Sequence, residues 1–563
     1  MHNYYEFYRT SELYESRDMV SPYSLLGSGH AFILIAVPFT FVAAAVLSGS
    51  RRLMSVEQAW RWCRVSSGFA LLLAVLSGLG LAFSPLLGSD GVSLPALFGS
   101  RFAILSLHAD AASSIILILV AFVGQVITRF SEKYLSGSNV QRHYLRFLML
   151  TLACVSVIII TNNLAVLAVS WISTSLSLHE LLTLYSDRQP AIIAAHKKFL
   201  ASRIGDLCLI VASVLIYRSC GTLEIDKVLE AVQKEPSRGM QAAAICLVFA
   251  ACVKCAQLPL HGWLIQVMEA PTPVSALLHA GIINLGGFLL IRFSPLVSSV
   301  PPAQWLLILI GTATAAIASL VMMTRISIKV MLAWSTCAQM GFMLLECGLG
   351  LYELALLHLV AHSLYKAHAF LGSGSCVEEW IDRQRSPKVS TAQPGQYFAA
   401  LLITIPIIAM TFYFWSRHDD SVGQLWIVGT ILSLALTSLL IYRRPGATLP
   451  PTVLIGFTAV TAIVYLGLHR LSRHLLSVTS PKPSLPAIGF VIVSFLGVFT
   501  LQAIVQSRPA GSIARRLYPA FYAGLFLDEI FTRITFRIWP SRMPENQART
   551  IQVRDLLKAG ETR

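Results

Sequence analysis

Apolar residues recur along this chain in stretches of about 20, the length a helix needs to cross hydrocarbon, with short polar connections between them. About 15 such stretches are counted, centred near residues 40, 77, 119, 152, 173, 210, 250, 283, 313, 336, 361, 405, 433, 458 and 495. The pattern predicts an all-α polytopic membrane protein. Residues 1–29 are expected to form an extramembrane N-terminal segment, residues 30–506 one transmembrane domain, and residues 507–563 a C-terminal amphipathic, cytoplasmic segment suited to binding a partner. A polar loop at 376–395, with Pro387 and Pro394, separates eleven stretches from four whose centres hold almost no ionisable residue. In the last segment, "ARRLYPAFYAGLFLDEIFTRITFRIWP" (514–540) alternates aromatic and aliphatic residues with Arg515, Arg516, Asp528, Glu529, Arg533 and Arg537. Such a run reads as an interfacial amphipathic helix or partner surface, or equally as a lipid-facing helix.

Composition strengthens the membrane reading. Hydrophobic residues are 55% of 563 and charged residues 13%, about half the charged share of a soluble domain. The formal charge of +15 is the usual footprint of nucleic-acid binding, but its distribution excludes that. Arg51, Arg52, Arg61 and Arg64, then Arg129, Lys133, Arg142 and Arg146, then Lys197, Lys198 and Arg203 fall between alternate stretches, as do Arg325 and Lys329, Arg383, Arg385 and Lys388, and Arg443 and Arg444. This is the asymmetry expected of cytoplasmic loops. It places the N-terminus outside and the C-terminal segment inside a bacterial plasma membrane, with Arg218, Lys227, Lys234 and Arg238 as the exception. No small-residue cleavage site flanks the first stretch.

Ionisable side chains at the centre of a membrane helix cost roughly 2.5–3.5 kcal/mol, so each needs a pathway or a partner. Most lie between residues 180 and 370. In "VFAACVKCAQLPLHGWLIQVMEAPTPVSALLHAGIINLGGFLL" (248–290), Lys254 occupies an apolar helix. Burial there favours the neutral amine, which lets a lysine exchange its proton near neutral pH. Pro259, five residues on, breaks the helix, and broken membrane helices line cavities and ion sites. His279 follows in the next helix and titrates in the physiological range. The competing reading pairs Lys254 with an acid such as Asp206 to hold helices together; a relay is favoured because a lone ion pair is a costly way to pack lipid-embedded helices.

In "ALLHLVAHSLYKAHAFLG" (355–372), His358, His362 and Lys366 recur every four residues and share one helix face. HxxxH resembles half a zinc site, but no glutamate sits between the histidines and no third ligand is evident. A row of titratable groups suits cation hopping better, and no metal is assigned to this chain. His368 lies off that face. The weaker candidates are Asp206, three residues after Arg203 and so open to a local salt bridge; Glu180, beside His179; Asp110, placed to cap a helix; Glu269, before PTP; and Glu346 and Glu353, flanking an outer loop. Cys252 and Cys255 form a CxxC around Lys254 without the second ligand pair a zinc site needs. No dinucleotide loop, P-loop, nucleophile elbow or iron–sulfur cysteine array is present, so an enzyme acting alone is not expected.

On "KCAQLPLHGWLIQVMEAPTPVSALLHA", and on "KKFLASRIGD", "KVMLAWSTCAQMGFM" and "HLVAHSLYKAHAFL" in the same order, the chain is identified as a member of the family of antiporter-like subunits of respiratory complex I and Mrp cation/proton antiporters. The resemblance covers about residues 105–375. It implies that Lys254 is the central lysine of a channel, that His279, His358, His362 and Lys366 continue a polar axis, and that Asp206 matches the family aspartate. The family's fifth helix carries a Trp-Glu pair; here "WISTSLSLHELL" puts Ile172 in the glutamate's place, with Glu180 two turns later as the candidate substitute. The twelfth stretch lacks the family lysine, Arg417 lying nearby without a secure alignment, and the long lateral helix is expected to be missing.

"HAGIINLGGFLLIRFSPL" (279–296), "SLHELLTLY" and "YAGLFLDEIFTRITFRIWP" (522–540) further resemble the membrane subunits (DabB) of DAB inorganic-carbon accumulation complexes. That likeness implies a large cytoplasmic partner, a DabA-like zinc protein similar to a β-carbonic anhydrase. The partner would hydrate CO2 while proton or sodium flow through the membrane subunit drives bicarbonate accumulation; zinc would belong to the partner and no cofactor to this chain. The rival expectations are a proton-pumping subunit of an NADH–quinone oxidoreductase-type complex, an Mrp-type sodium/proton antiporter subunit, and an inactive membrane anchor.

Overall fold

The computed structural model describes residues 22–83, 106–185, 188–232, 236–375, 393–416, 422–441, 450–475 and 483–539. Lys234, the greater part of the polar loop with Arg383, Arg385, Pro387 and Lys388, Arg417, Arg443, Arg444 and the chain beyond Trp539 lie outside these residues, as do residues 1–21.

The described chain is helical from end to end. Its helices are α1 (Pro22–Gly49), α2 (Val56–Phe83), α3 (Ala111–Tyr134), α4 (Gln141–Ile160), α5 (Leu164–Leu182), α6 (Gln189–Cys220), α7 (Ile225–Val232), α8 (Arg238–Lys254), α9 (Gly262–Gln266), α10 (Thr272–Ala280), α11 (Leu285–Arg292), α12 (Ser294–Ser298), α13 (Pro301–Met322), α14 (Ile328–Gly348), α15 (Tyr352–Leu371), α16 (Pro394–Ser416), α17 (Val422–Ile441), α18 (Pro451–Leu475), α19 (Leu485–Ser507), α20 (Ser512–Tyr522) and α21 (Leu527–Ile538). Local chemistry sets many of the ends. Asp110 accepts from the Ser113 amide at 2.7 Å and Asn163 from Ala165 at 2.9 Å, capping α3 and α5 as short polar side chains do. Gly221, at a φ of 69°, ends α6 in the left-handed conformation that glycine adopts without strain.

Among the described residues, twelve helical segments are long and apolar enough to cross a membrane. The expected count of about 15 is therefore not reached by this measure. The three remaining positions are helices that fall short of it: α8 has 17 residues, α15 carries Glu353, Lys366 and three histidines, and only Ile427–Thr437 of α17 counts as a shorter apolar helix.

One large apolar cluster runs through α1 to α15 and takes in Phe531 of α21. A smaller one ties α13, α14 and α15 to α17 and α19 through Ile308, Leu345, Leu354, Ile427 and Val491. Burial separates a core from a periphery. The segment Thr272–Arg292 is 94% buried, whereas Leu485–Ser507 is 11% buried, so α10–α11 is enclosed by protein while α19 faces lipid. At the α13–α14 crossing a Cβ on Gly311 would lie 2.6 Å from the Gly341 carbonyl oxygen. The two backbones touch there, as small residues allow where lipid offers no hydrophobic drive for association.

Two interruptions lie in that enclosed core. After Lys254 the chain leaves α8 through Cys255 and Ala256, the latter at a φ of 51°, and crosses a cis Leu258–Pro259 bond. Backbone groups freed by a break in a membrane must find partners. Here the Leu258 amide donates to Thr314 Oγ1 at 3.3 Å and the Cys255 carbonyl accepts from the Gln257 side chain at 2.9 Å. The second interruption, Gly281–Asn284, separates α10 from α11. The Asn284 amide nitrogen bridges it to the Ala280 carbonyl at 3.1 Å and to Ser363 Oγ of α15 at 2.6 Å.

The basic residues divide into two kinds. Arg142 donates to the carbonyls of Ser48, Ser50 and Met54, holding the turn after α1, and Arg64 pairs with Glu132 at 3.2 Å. Lys197, Lys198 and Arg203 correct the sequence reading: they are not loop charges but lie within α6, with Lys197 0% and Lys198 3% exposed. A helix of 32 residues spans about 48 Å at 1.5 Å per residue, longer than the hydrocarbon, and absorbs the expected loop into its own first turns.

Candidate ion-translocation site

Lys254 is the last residue of α8, and its Nζ lies 4.4 Å from the centre of the Trp171 ring. Trp171, 1% exposed, precedes Ile172 on α5, so the lysine meets an aromatic face where the family resemblance leads one to expect a carboxylate. A desolvated cation–π contact of this kind contributes about 2 kcal/mol. Lys254, Trp171, Trp263, Lys198 and Ser202 line a cavity of about 20 Å³, large enough for one water molecule. Lys198 donates to the Ser175 carbonyl at 2.5 Å and to Ser175 Oγ at 3.0 Å. Asp206, 4% exposed, lies 2.6 Å from Arg203 on its own helix, and its charge acts on both Lys254 and Lys198. The local salt bridge that the spacing allowed is therefore present, beside the lysine pair and within its field.

The second group lies around the other break. His279, 0% exposed, meets Thr336 Oγ1 through Nδ1 at 3.0 Å and stacks on Phe370 at 4.4 Å. On α15, Lys366 donates to the Leu332 carbonyl at 3.0 Å, the His358 and His362 rings are 6.2 Å apart, and His358 Nδ1 lies 3.0 Å from Glu346 Oε2. His362 feels the charge of Lys366, His358 and His279. Its two nitrogens, His279 Nε2 and Asn284 Oδ1 are buried without a hydrogen-bond partner among the described residues, so the ring nitrogens are free to accept or donate a proton and the amide oxygen to accept a hydrogen bond. His368 is exposed, off this face.

Glu180 stands apart. It is half exposed and pairs with His143 at 3.3 Å; the fold does not bring it to Lys254. Glu269 is exposed on the turn after α9. Glu346 and Glu353 do flank the connection between α14 and α15, but as buried residues rather than loop charges: they are 5% and 7% exposed, and Glu353 meets His469 of α18 at 3.5 Å. His469, 2% exposed, is the ionisable residue that the reading of the last four stretches passed over. Sequence reasoning also passed over Lys198, though it lies in the quoted block "KKFLASRIGD". The acids and His469 carried no local signal, because each sits near a helix end where charge is ordinary.

At the far end of α6 a third cluster forms. His108 Nδ1 lies 3.1 Å from Asp226 and its Nε2 3.5 Å from Asp110, and Arg292 reaches Asp226 at 4.0 Å. Burial alone would lower the His108 pKa, but its bonds to Asp110 and Asp226 carry it above the ordinary value. Burial likewise opposes both carboxylate charges, yet His108 and Arg292 hold Asp110 and Asp226 below theirs. The raised histidine stabilises the fold below its unfolded value and loses that contribution as pH rises through its folded pKa. The lowered acids stabilise above their unfolded values and lose theirs as pH falls. The cluster is thus strongest between about pH 4 and 6.5. Asp226→Asn is expected to lower the His108 pKa and flatten the melting temperature above pH 6.5, measured by histidine NMR and thermal melts in detergent; an unchanged His108 titration would contradict the assigned contacts.

The family described as NADH:quinone oxidoreductase/Mrp antiporter, transmembrane, matches residues 161–417. The chain is 45% identical over 442 residues to a protein of Hydrogenovibrio crunogenus named "Probable inorganic carbon transporter subunit DabB", covering 77% of this chain and 83% of that one. It is 38% identical over 527 residues to the corresponding subunit DabB2 of Halothiobacillus neapolitanus, covering 91% and 94%. Its fold matches the structure of the Mrp complex from Dietzia sp. with a TM-score of 0.60 at 21% identity, over 94% of this chain and 63% of that chain. These relatives are transport subunits rather than enzymes. The chain is therefore a multi-pass membrane protein that carries an NADH:quinone oxidoreductase/Mrp antiporter segment and belongs to the family of DabB inorganic carbon transporter subunits.

Proposed function

We propose that this chain conducts a cation, a proton or a sodium ion, to energise dissolved inorganic carbon uptake by a zinc-bearing, β-carbonic-anhydrase-like cytoplasmic partner. The observation that carries the translocating role is the placement of Lys254 and Lys198 at one helix break and of His279, His362 and Lys366 at the other. Both groups are enclosed by protein, where ionisable residues are retained for ion pathways. Lys254 serves as the switching carrier, Asp206 sets its electrostatic balance, and His279, His358, His362 and Lys366 form the conducting row. Proton affinity at each step changes with the charge of its neighbours, so a proton arriving at Lys366 weakens the hold of His362 on its own. The names of the relatives support the carbon substrate. The basic turns held by Arg142 and Arg64 fit a cytoplasmic side, which leaves the N-terminus outside a bacterial plasma membrane and the segment from 507 inside.

The driving force is adequate. One charge crossing about 150 mV releases roughly 3.5 kcal/mol, which at about 1.4 kcal/mol per tenfold supports accumulation of roughly 300-fold. The testing experiment is mild-detergent purification of the native complex, with mass spectrometry and zinc analysis. One large zinc-bearing soluble partner is expected; a ladder of redox or antiporter subunits would replace the carbon reading with one of its rivals.

A further inference from the structure

An ion pair joins α21 to the membrane core. Lys197 Nζ, on a side chain that is 0% exposed, lies 2.5 Å from Asp528 Oδ2 and 2.6 Å from Thr532 Oγ1, both of α21. Gln266, on the segment that follows the break after Lys254, donates to the same carboxylate at 3.2 Å. The other oxygen, Oδ1, is buried without a hydrogen-bond partner among the described residues and is in close contact with Gly262, where a Cβ could not fit beside it. Phe531 packs under the Lys197 ammonium at 5.7 Å, and Trp539 stacks on His196 at 3.8 Å. The amphipathic run at 514–540 is therefore neither simply interfacial nor lipid-facing: one residue of it is the counter-ion of a buried lysine. The neighbouring residue, Lys198, lines the cavity of Lys254.

We propose that the seating of α21 on the membrane core sets conduction, with Asp528 as the positioning residue. This inference rests on the relay reading above. Seated, Asp528 neutralises Lys197 and fixes the α6 and α9 segments on either side of the Lys254–Lys198 cavity. Withdrawn, it leaves a wholly buried ammonium uncompensated on α6, one residue before Lys198. The field at Lys254 then becomes more positive and the lysine no longer holds its proton.

The test is cation flux through the native complex reconstituted in liposomes under an imposed potential, with assembly followed by size-exclusion chromatography. Asp528→Asn is expected to lower flux roughly tenfold in an assembled complex, and Asp528→Glu to retain most of it. Gly262→Ala, which displaces the carboxylate and alters no charge, should act like Asp528→Asn. Lys197→Met combined with Asp528→Asn, which leaves no lone charge, should recover flux. Flux within about twofold of wild type in Asp528→Asn, with Lys254→Ala inactive, overturns the coupling role and leaves the relay standing. If Lys254→Ala also conducts normally, the relay reading fails and this inference with it. If every loss of flux is accompanied by loss of assembly, Asp528 is an anchor only and the proposal falls.

Discussion

Lys254→Ala is expected to abolish cation flux, by roughly a hundredfold or more, in a complex that still assembles. The side chain is enclosed between Trp171, Trp263 and Lys198, and its interactions are a cation–π contact and the field of Asp206 rather than an ion pair. Removing it leaves no acid stranded, because Asp206 keeps Arg203 at 2.6 Å. Burying a charge in hydrocarbon surroundings is costly, which offsets the lost cation–π contact with Trp171, so loss of the lysine leaves stability close to the wild-type value. This asymmetry separates a relay from an inactive anchor. Flux into liposomes and carbon-dependent growth are the readouts, and growth at the wild-type rate would show that the central lysine carries nothing.

Lys366→Met carries the second large expectation: loss of flux by roughly a hundredfold with the fold retained. Methionine matches the length of the buried stem while deleting the Lys366 ammonium that acts on His279 and His362. Their proton affinities then no longer alternate with its charge. What is lost structurally is a bond to the Leu332 carbonyl, worth about 1 kcal/mol, and an approach to the Tyr365 ring at 5.6 Å. Glu180→Gln is the internal control. Among the described residues Glu180 pairs with His143 at a half-exposed surface, where such a contact contributes little, so flux should stay at the wild-type level. Loss of flux in Glu180→Gln together with full flux in Lys366→Met would invert the assignment.

Much of this was legible in the residues. The interruption after Lys254 follows from Pro259 and the polar run around it, and the face shared by His362 and Lys366 follows from a spacing of four. Other features were not. Lys197 and Lys198 look like loop charges because helix length is set by what surrounds the helix, and α6 runs on through them. Ile172 and Glu180 drew attention as a lost and a substitute acid. Which residue faces Lys254 instead depends on how α5 and α8 cross, and the answer is Trp171.

The sequence by itself determined that the chain spans a membrane many times, that a helix breaks after Lys254, and which family it resembles. Hydrophobic length, proline and motif order are all local properties, and a bilayer tests them locally. Only the tertiary structure decided which charges meet. Glu346 finds His358, Glu353 finds His469, and Lys197 finds Asp528 across 331 residues of chain. A buried charge is tolerable only beside its partner, and no periodicity in a sequence records which of several acids will be carried to that place.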